Sequence, residues 1–306
     1  MTIKRDLLAV GHTAFDYIMT VDEFPPANNA APILTMKNLN GGAAANVAMI
    51  GAALGAKTSL VSAVGEDFID SRYQKAMLEA GVNIDSMIFD EEANTPTAFV
   101  MTDKHGDQIS YFHWGAGKAF HDSEVPRDTI KDVKAVHLAT GDPHYNCKTA
   151  IIAKEEERLV SFDPGQDLGM YSPKKLVEVI KNCNILFGNH HEIKRILETL
   201  NVDTDGLMAL GPEIVLKTCG KEGSYIYSLD EETIFVEAVY RPAVDPTGAG
   251  DSYKAGFVSQ LIKGASLEES AKFASSVSSF VVEKQGCQTN MPSYEDAYNR
   301  MVEFYK

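Results

Sequence analysis

Short apolar runs alternate with segments of helical periodicity along most of the 306 residues, and this alternation restricts the fold more than any other feature. The runs at residues 7–10, 59–64, 136–139, 159–162, 185–187, 214–216 and 224–227 are strand-length and bounded by turn residues. Helix-periodic stretches occupy residues 46–54, 71–80, 174–181, 192–200, 250–263, 267–283 and 294–304. Strands separated by helices pair in parallel through right-handed crossovers, and a parallel sheet needs cover on both faces. The expected class is α/β: three α/β/α layers around a mostly parallel sheet, in one unit spanning residues 1–306.

Two segments break this rhythm. Residues 16–38 are extended and contain Pro25, Pro26 and Pro32. Residues 98–102 and 108–113 read as two strands joined by Asp103-Lys104-His105-Gly106-Asp107, which is hairpin chemistry. Together the segments at about 16–38 and 95–114 predict a small antiparallel β-sheet standing off the main unit as a lid over a ligand cleft.

The formal net charge is -15, which argues against partners with a phosphate backbone or an anionic bilayer surface: no nucleic acid and no membrane are expected. A phosphate ligand stays open, because backbone N–H groups bind anions without Lys or Arg. The four cysteines form no C-x-x-C pair and predict reduced thiols, and the eight histidines show no zinc spacing. Residues 1–10 lack a signal-peptide core and no apolar run matches a bilayer, so a cytoplasmic location is expected.

The most informative stretch is Asp245-Pro246-Thr247-Gly248-Ala249-Gly250-Asp251-Ser252. It precedes a helical pattern in which Tyr253, Phe257, Leu261 and Ile262 recur at near-helical spacing. A glycine-rich turn opening a helix points unpaired N–H groups outward, and the helix dipole adds positive potential. Gly248, Ala249 and Gly250 are small enough for a phosphate to approach the main chain, and Asp251 is the candidate general base. An ionised carboxylate suffices for that role without a raised pKa, and the helix N-terminus favours the ionised form. The four residues G-x-G-D alone also read as an ordinary helix start with Asp251 as a first-turn charge; the eight-residue string is more specific.

A second glycine-rich stretch, Asn40-Gly41-Gly42-Ala43-Ala44-Ala45-Asn46, also opens a helix. Gly41 and Gly42 allow a substrate to lie against the backbone, and Asn46 offers donor and acceptor to vicinal hydroxyls. Close packing of this helix on the sheet through small residues is the other reading. Asp16 follows the first strand and faces the crevice where open α/β sheets bind ligands.

These motifs resemble those of the ribokinase-like, or PfkB, family of carbohydrate and nucleoside kinases, over essentially the whole chain. Residues 41–46 with Gly55 and Gly65 match its first signature, and DPTGAGDSYKAGF at residues 245–257 matches its second. The resemblance implies a ribokinase-like fold, ATP and Mg²⁺ as cofactors, Asp251 as base, and Asp16, Gly41, Gly42 and Asn46 on the substrate. It implies nucleotide contacts at Asn189, Thr218, Gly220, Gly223 and Ser275, with Glu192 near magnesium through water. Adenine would sit between residues 236–243 and the helix around 274–278. Asp245 and Thr247 match part of a monovalent-cation site, for K⁺ in many relatives, and residues 284–289 match the rest in position only.

Within that family, GHTAFDYI, HWGAGK, ATGDP, FDPGQDL and GCQTN are similar to archaeal nucleoside kinases of broad specificity. The resemblance therefore implies 5′-phosphorylation of ribonucleosides of the inosine, guanosine, cytidine and adenosine type. A sugar kinase of the ribokinase or fructokinase type is the alternative. A catalytically silent regulator would carry a damaged site, whereas Asp251, the glycines and Glu192 are all present. A base needs apolar faces and an amide at its edge; Phe15, Tyr17, Phe112, His113 and Gln166 are candidates. Packing inside the lid, or a surface turn for Gln166, would explain them equally. Several relatives form homodimers through the lid, and Ile18, Ile33, Phe99 and Ile109 fit either such an interface or packing within the monomer.

Overall fold

The computed structural model describes residues 3–229 and 231–306; Met1, Thr2 and Asp230 of the expected unit lie outside the described residues. The first half runs β1 (Arg5–Val10), β2 (Ala14–Val21), β3 (Ile33–Gly41), α1 (Ala43–Ala53), β4 (Thr58–Val61), β5 (Ala63–Gly65), α2 (Arg72–Glu79) and β6 (Ile88–Asp90). It continues through β7 (Thr97–Thr102), β8 (Gln108–His113), α3 (Arg127–Lys131), β9 (Val133–Leu138), α4 (Pro143–Glu155) and β10 (Leu159–Phe162). Next come α5 (Pro173–Ile180), β11 (Ile185–Asn189), α6 (His190–Leu200), α7 (Thr204–Met208), β12 (Ile214–Thr218), β13 (Ser224–Ser228) and β14 (Ile234–Val236). The chain closes with α8 (Ala249–Leu261), α9 (Leu267–Val281) and α10 (Tyr294–Phe304).

Eight strands form the main sheet in the order β14-β13-β12-β11-β10-β9-β1-β4, parallel from β12 to β4 and antiparallel at β12–β13 and β13–β14. The apolar runs are continuous because alternate side chains enter different cores. Leu7 and Ala9 pack with α1, α8 and α9 residues on one face, while Leu8 and Val10 join Tyr145, Leu176 and Ile196 on the other. Ile214 and Leu216 divide from Val215 in the same way. This is the α/β/α layering that the alternation requires, and no helix of the described residues is long and apolar enough to cross a membrane.

A second sheet has the order β3-β2-β7-β8. Its hairpin β7–β8 is antiparallel as expected, with Asp103 Oδ1 accepting the N–H groups of His105 and Asp107 at 2.8 and 3.0 Å. The sheet as a whole is mixed rather than antiparallel, because β2 and β7 pair in parallel. A connection through α1, β4, β5, α2 and β6 separates them, and a crossover of that length brings the second strand back in the same direction. The expected strand at 59–64 is likewise two strands. β4 lies in the main sheet and β5 pairs with β6. The break falls at Ser62, whose hydroxyl accepts the Thr13 N–H at 2.8 Å. Helix α4 had no periodic signature because it buries Asn146 and Thr149 beside its apolar residues.

Candidate active site

Of the ten α-helices among the described residues, seven begin with a side chain that caps the first turn, from Ser71, Asp142, Ser172, Asn189, Asp203, Ser266 or Ser293. Helices α1 and α8 begin at Gly42 (φ 91°) and Gly248 (φ 79°), with no capping side chain. A Cβ on Gly42 would strike the His12 carbonyl and the Ala14 N, and one on Gly248 would run into Cys287. Glycine is therefore required twice over, by backbone conformation and by space. Only part of each first turn is left to a ligand: the Ala45 N–H donates to the His12 carbonyl at 3.3 Å and the Ala249 N–H to the Pro246 carbonyl at 3.1 Å, while the N–H groups of Gly250 and Asp251 have no hydrogen-bond partner among the described residues.

Both helix starts open onto one cavity of about 480 Å³. Asn46, from the first glycine motif, donates through Nδ2 to Asp251 Oδ2, from the second, at 2.9 Å. The Asn46 amide is oriented in turn by Gln288, whose Nε2 donates to Asn46 Oδ1 at 2.9 Å and to Tyr73 Oη at 2.6 Å. Tyr73 donates onward to the Gly41 carbonyl at 2.8 Å.

Four carboxylates line the cavity (Asp16, Asp163, Glu192 and Asp251) against one ammonium, Lys254. Burial pushes Asp251 up to about 6; Glu192 adds to the rise and the Asn46 hydrogen bond opposes it. Burial also raises Asp16, to about 7, with the charges of Asp251 and Asp245 adding to it. The expectation of an unraised base fails here: desolvation inside the cavity outweighs the helix dipole. Asp251 nonetheless stays mostly ionised at neutral pH, as a proton acceptor requires.

Asp16, Gly42, Asn46, Phe112, Gln166, Asn189, Glu192, Thr218, Thr247, Gly250 and Asp251 all line this cavity. Gly248 and Ala249 shape the turn behind Gly250, and Gly41 sits beneath with its carbonyl on Tyr73. Gly220 and Gly223 lie in the turn after β12, outside the lining. Ser275 is also outside: its hydroxyl accepts the Val239 N–H at 2.8 Å and ties residue 239 to α9. Asn189 and Glu192 form a capping box on α6, so one Glu192 oxygen is engaged by the Asn189 N–H at 2.7 Å. Asp245 accepts the N–H groups of Thr247 and Gly286, both at 2.9 Å, and thereby fastens the 284–289 loop to the phosphate turn. Among the described residues no group of three or more His, Cys, Asp or Glu is assembled to hold a metal.

Of the five base candidates, only Phe112 and Gln166 reach the cavity. Phe15 packs on Tyr73, and Tyr17 stacks on Phe99 at 5.5 Å. Sequence reasoning missed His12, Asp163 and Lys254 in the lining, and the supporting pair Tyr73 and Gln288. His12 is buried edge-on to Trp114 (4.6 Å) and near Phe112 (5.0 Å), with Asp167 Oδ2 3.5 Å from its Nε2. Lys254 was legible in principle, since it lies one helical turn after Asp251 and so on the same face.

A family model described as pfkB family carbohydrate kinase matches residues 4–294. A nucleoside kinase of Methanothermobacter thermautotrophicus is 55% identical over 302 residues, covering 99% of this chain and 97% of that protein. A nucleoside kinase of Methanocaldococcus jannaschii is 41% identical over 295 residues, 96% of each chain. The crystal structure of the Methanocaldococcus jannaschii nucleoside kinase, described as an archaeal member of the ribokinase family, superposes with a TM-score of 0.94 at 40% identity. That superposition covers 99% of this chain and 100% of that one.

Proposed function

We propose that this chain, which belongs to the pfkB family of carbohydrate kinases, transfers the γ-phosphoryl group of ATP to the 5′-hydroxyl of ribonucleosides. One observation carries the reading: the Asn46 amide holds the Asp251 carboxylate inside a cavity that also presents Asp16. The substrate motif and the phosphate motif are thereby joined at the atom that must take a proton. Two archaeal nucleoside kinases matching the chain almost end to end favour a nucleoside over a simple sugar. Phe112 and Gln166 offer a face and an amide for the base.

In this reading Asp16 accepts hydrogen bonds from ribose hydroxyls and aims the 5′-hydroxyl at the γ-phosphorus. The new O–P bond forms as the bond to the β,γ-bridging oxygen breaks, ADP leaves, and the hydroxyl proton passes to Asp251. The N–H groups of Gly250 and Asp251 hold oxygens of the transferred phosphoryl, in a turn that Gly248 and Ala249 shape through the Ala249 N–H on the Pro246 carbonyl. Thr218 and Asn189 contact the nucleotide, with Gly220, Gly223 and Ser275 shaping its shoulder. Asn189 and Glu192 supply hard oxygen donors on a wall rich in carboxylates, which fits Mg²⁺ held through water. That ion would neutralise phosphate charge. Asp245 and Thr247 are assigned to a K⁺ site on the same footing.

The β3-β2-β7-β8 sheet serves as the lid and as the face of a homodimer in a cytoplasmic enzyme. Ile33, Phe99 and Ile109 are exposed rather than packed within the monomer, beside Leu34 and Met36, whereas Ile18 turns to the cavity. ATP consumption measured with inosine, guanosine, cytidine, adenosine, ribose and fructose tests the substrate class. Turnover with at least one nucleoside is expected; turnover with ribose or fructose and none with the four nucleosides would make the chain a sugar kinase.

A further inference from the structure

The cavity holds one ammonium for its four carboxylates, and the reaction as written above gives it no task. Lys254 lies three residues after Asp251 on α8, and its Nζ is 3.3 Å from Asp251 Oδ1. The same nitrogen is in close contact with Asp163 Oδ2. Both partners are buried, with side chains 14% and 3% exposed. Asp163 is itself fixed, because its Oδ1 accepts the Gly165 N–H at 2.9 Å in the turn after β10. That turn continues into Gln166, which lines the substrate end.

The two oxygens of Asp251 are thus held by different elements, Oδ2 by Asn46 of α1 and Oδ1 by Lys254. Rotation about the Asp251 Cβ–Cγ bond would break both contacts. Lys254 in turn cannot swing away without leaving the Asp163 carboxylate buried and without its counter-charge. The ammonium faces the phosphate turn: a Cβ on Gly250 would lie 3.6 Å from Nζ. Burial lowers Lys254 only to about 8, so it is charged at neutral pH.

We propose that Lys254, anchored by Asp163, is a positioning residue that fixes the Asp251 carboxylate for proton transfer and sets a counter-charge beside the phosphate turn. The inference rests on Asp251 as the base. A small displacement of a reacting group can cost on the order of 10²-fold. Lys254→Met is therefore expected to lower kcat by about 10–10²-fold, with KM for ATP and nucleoside changed by less than about threefold. Lys254→Arg, which keeps a charge able to bridge two carboxylates, should recover part of the loss.

Because Lys254→Met strands Asp163, the single variant is also expected to lose stability. The double variant Lys254→Met/Asp163→Asn removes the stranded charge and separates the two effects. Thermal unfolding and steady-state kinetics are measured on all three variants. The expected result is a Tm that recovers in the double variant while kcat stays low. Recovery of kcat together with Tm, an unchanged kcat in Lys254→Met, or a loss confined to KM would each overturn the proposal. A near-normal Asp251→Asn enzyme would instead remove the base assignment, so the two readings fail by different measurements.

Discussion

At the transfer end of the cavity, Asp251 is held by Asn46 and Lys254, Asn46 by Gln288, and Gln288 by Tyr73, each from a different segment of chain. At the opposite end, the β3-β2-β7-β8 sheet offers Ile18, Val100, Ser110 and Phe112 to the cavity, while its other face buries Met19 but exposes Met36 and Phe99. The first end is built from charged groups taken out of water and cross-tied; the second is a thin sheet that covers. Burying an ionised carboxylate opposes folding: raising Asp251 from 3.8 to about 6 corresponds to a cost on the order of 3 kcal/mol at neutral pH. A fold retains such a cost where a reaction needs the group, which is what the proposed transfer at this end supplies and the covering sheet does not require.

The comparison breaks first if the transfer end tolerates change. Asp251→Asn keeps the shape and the Asn46 contact while removing the proposed proton acceptor. Initial rates with ATP and a nucleoside should fall by about 10²–10⁴-fold, with ATP affinity by calorimetry nearly unchanged. Retention of most activity would show that the cross-tied end is structural.

A smaller effect comes from pH. Asp16 and Asp251 are both raised, to about 7 and about 6, and the proposed reaction uses both as acceptors in their ionised forms. Activity from a group with a raised carboxyl pKa is present above that value and lost as pH falls through it. The kcat/KM profile should therefore drop below pH 7 and steepen below pH 6, reaching about 20-fold loss at pH 6 relative to pH 8. Asp16→Asn should leave only the lower step. A profile flat from pH 8 to pH 5.5 would mean that neither carboxylate titrates where burial places it.

The same contrast governs what could be read without the structure. The transfer end was legible because its glycines are local necessities: Gly42 and Gly248 adopt positive φ where a side chain would collide, and each opens a helix. The apolar runs of the main sheet were legible because strands buried on both faces carry no polar alternation, as Leu7 to Val10 show. Register across a sheet has no such local mark. Whether Tyr17 faces the cavity or stacks on Phe99 depends on its pairing with β7, 82 residues away along the chain. Gln288 and Tyr73 were missed for the same reason, since 215 residues separate the two partners of that hydrogen bond.

The smallest expected effect on turnover lies at the outer face of the second sheet. Ile33, Leu34 and Met36 on β3 are 50–61% exposed, and Phe99 on β7 is 38% exposed. Four large apolar side chains on one sheet are an association surface more often than a solvated one. Ile33→Lys with Met36→Lys places two charges there, outside the cavity lining. Light scattering should then report a monomer where the parent chain reports a dimer, while kcat stays within about twofold of the parent, because β3 meets the transfer end only at its far end, through the Gly41 carbonyl and Lys37, and neither Ile33 nor Met36 lines the cavity. A parent chain that is already monomeric would remove the dimer from the proposal. A loss of kcat matching that of Asp251→Asn would show that the covering sheet and the transfer end are not separable parts.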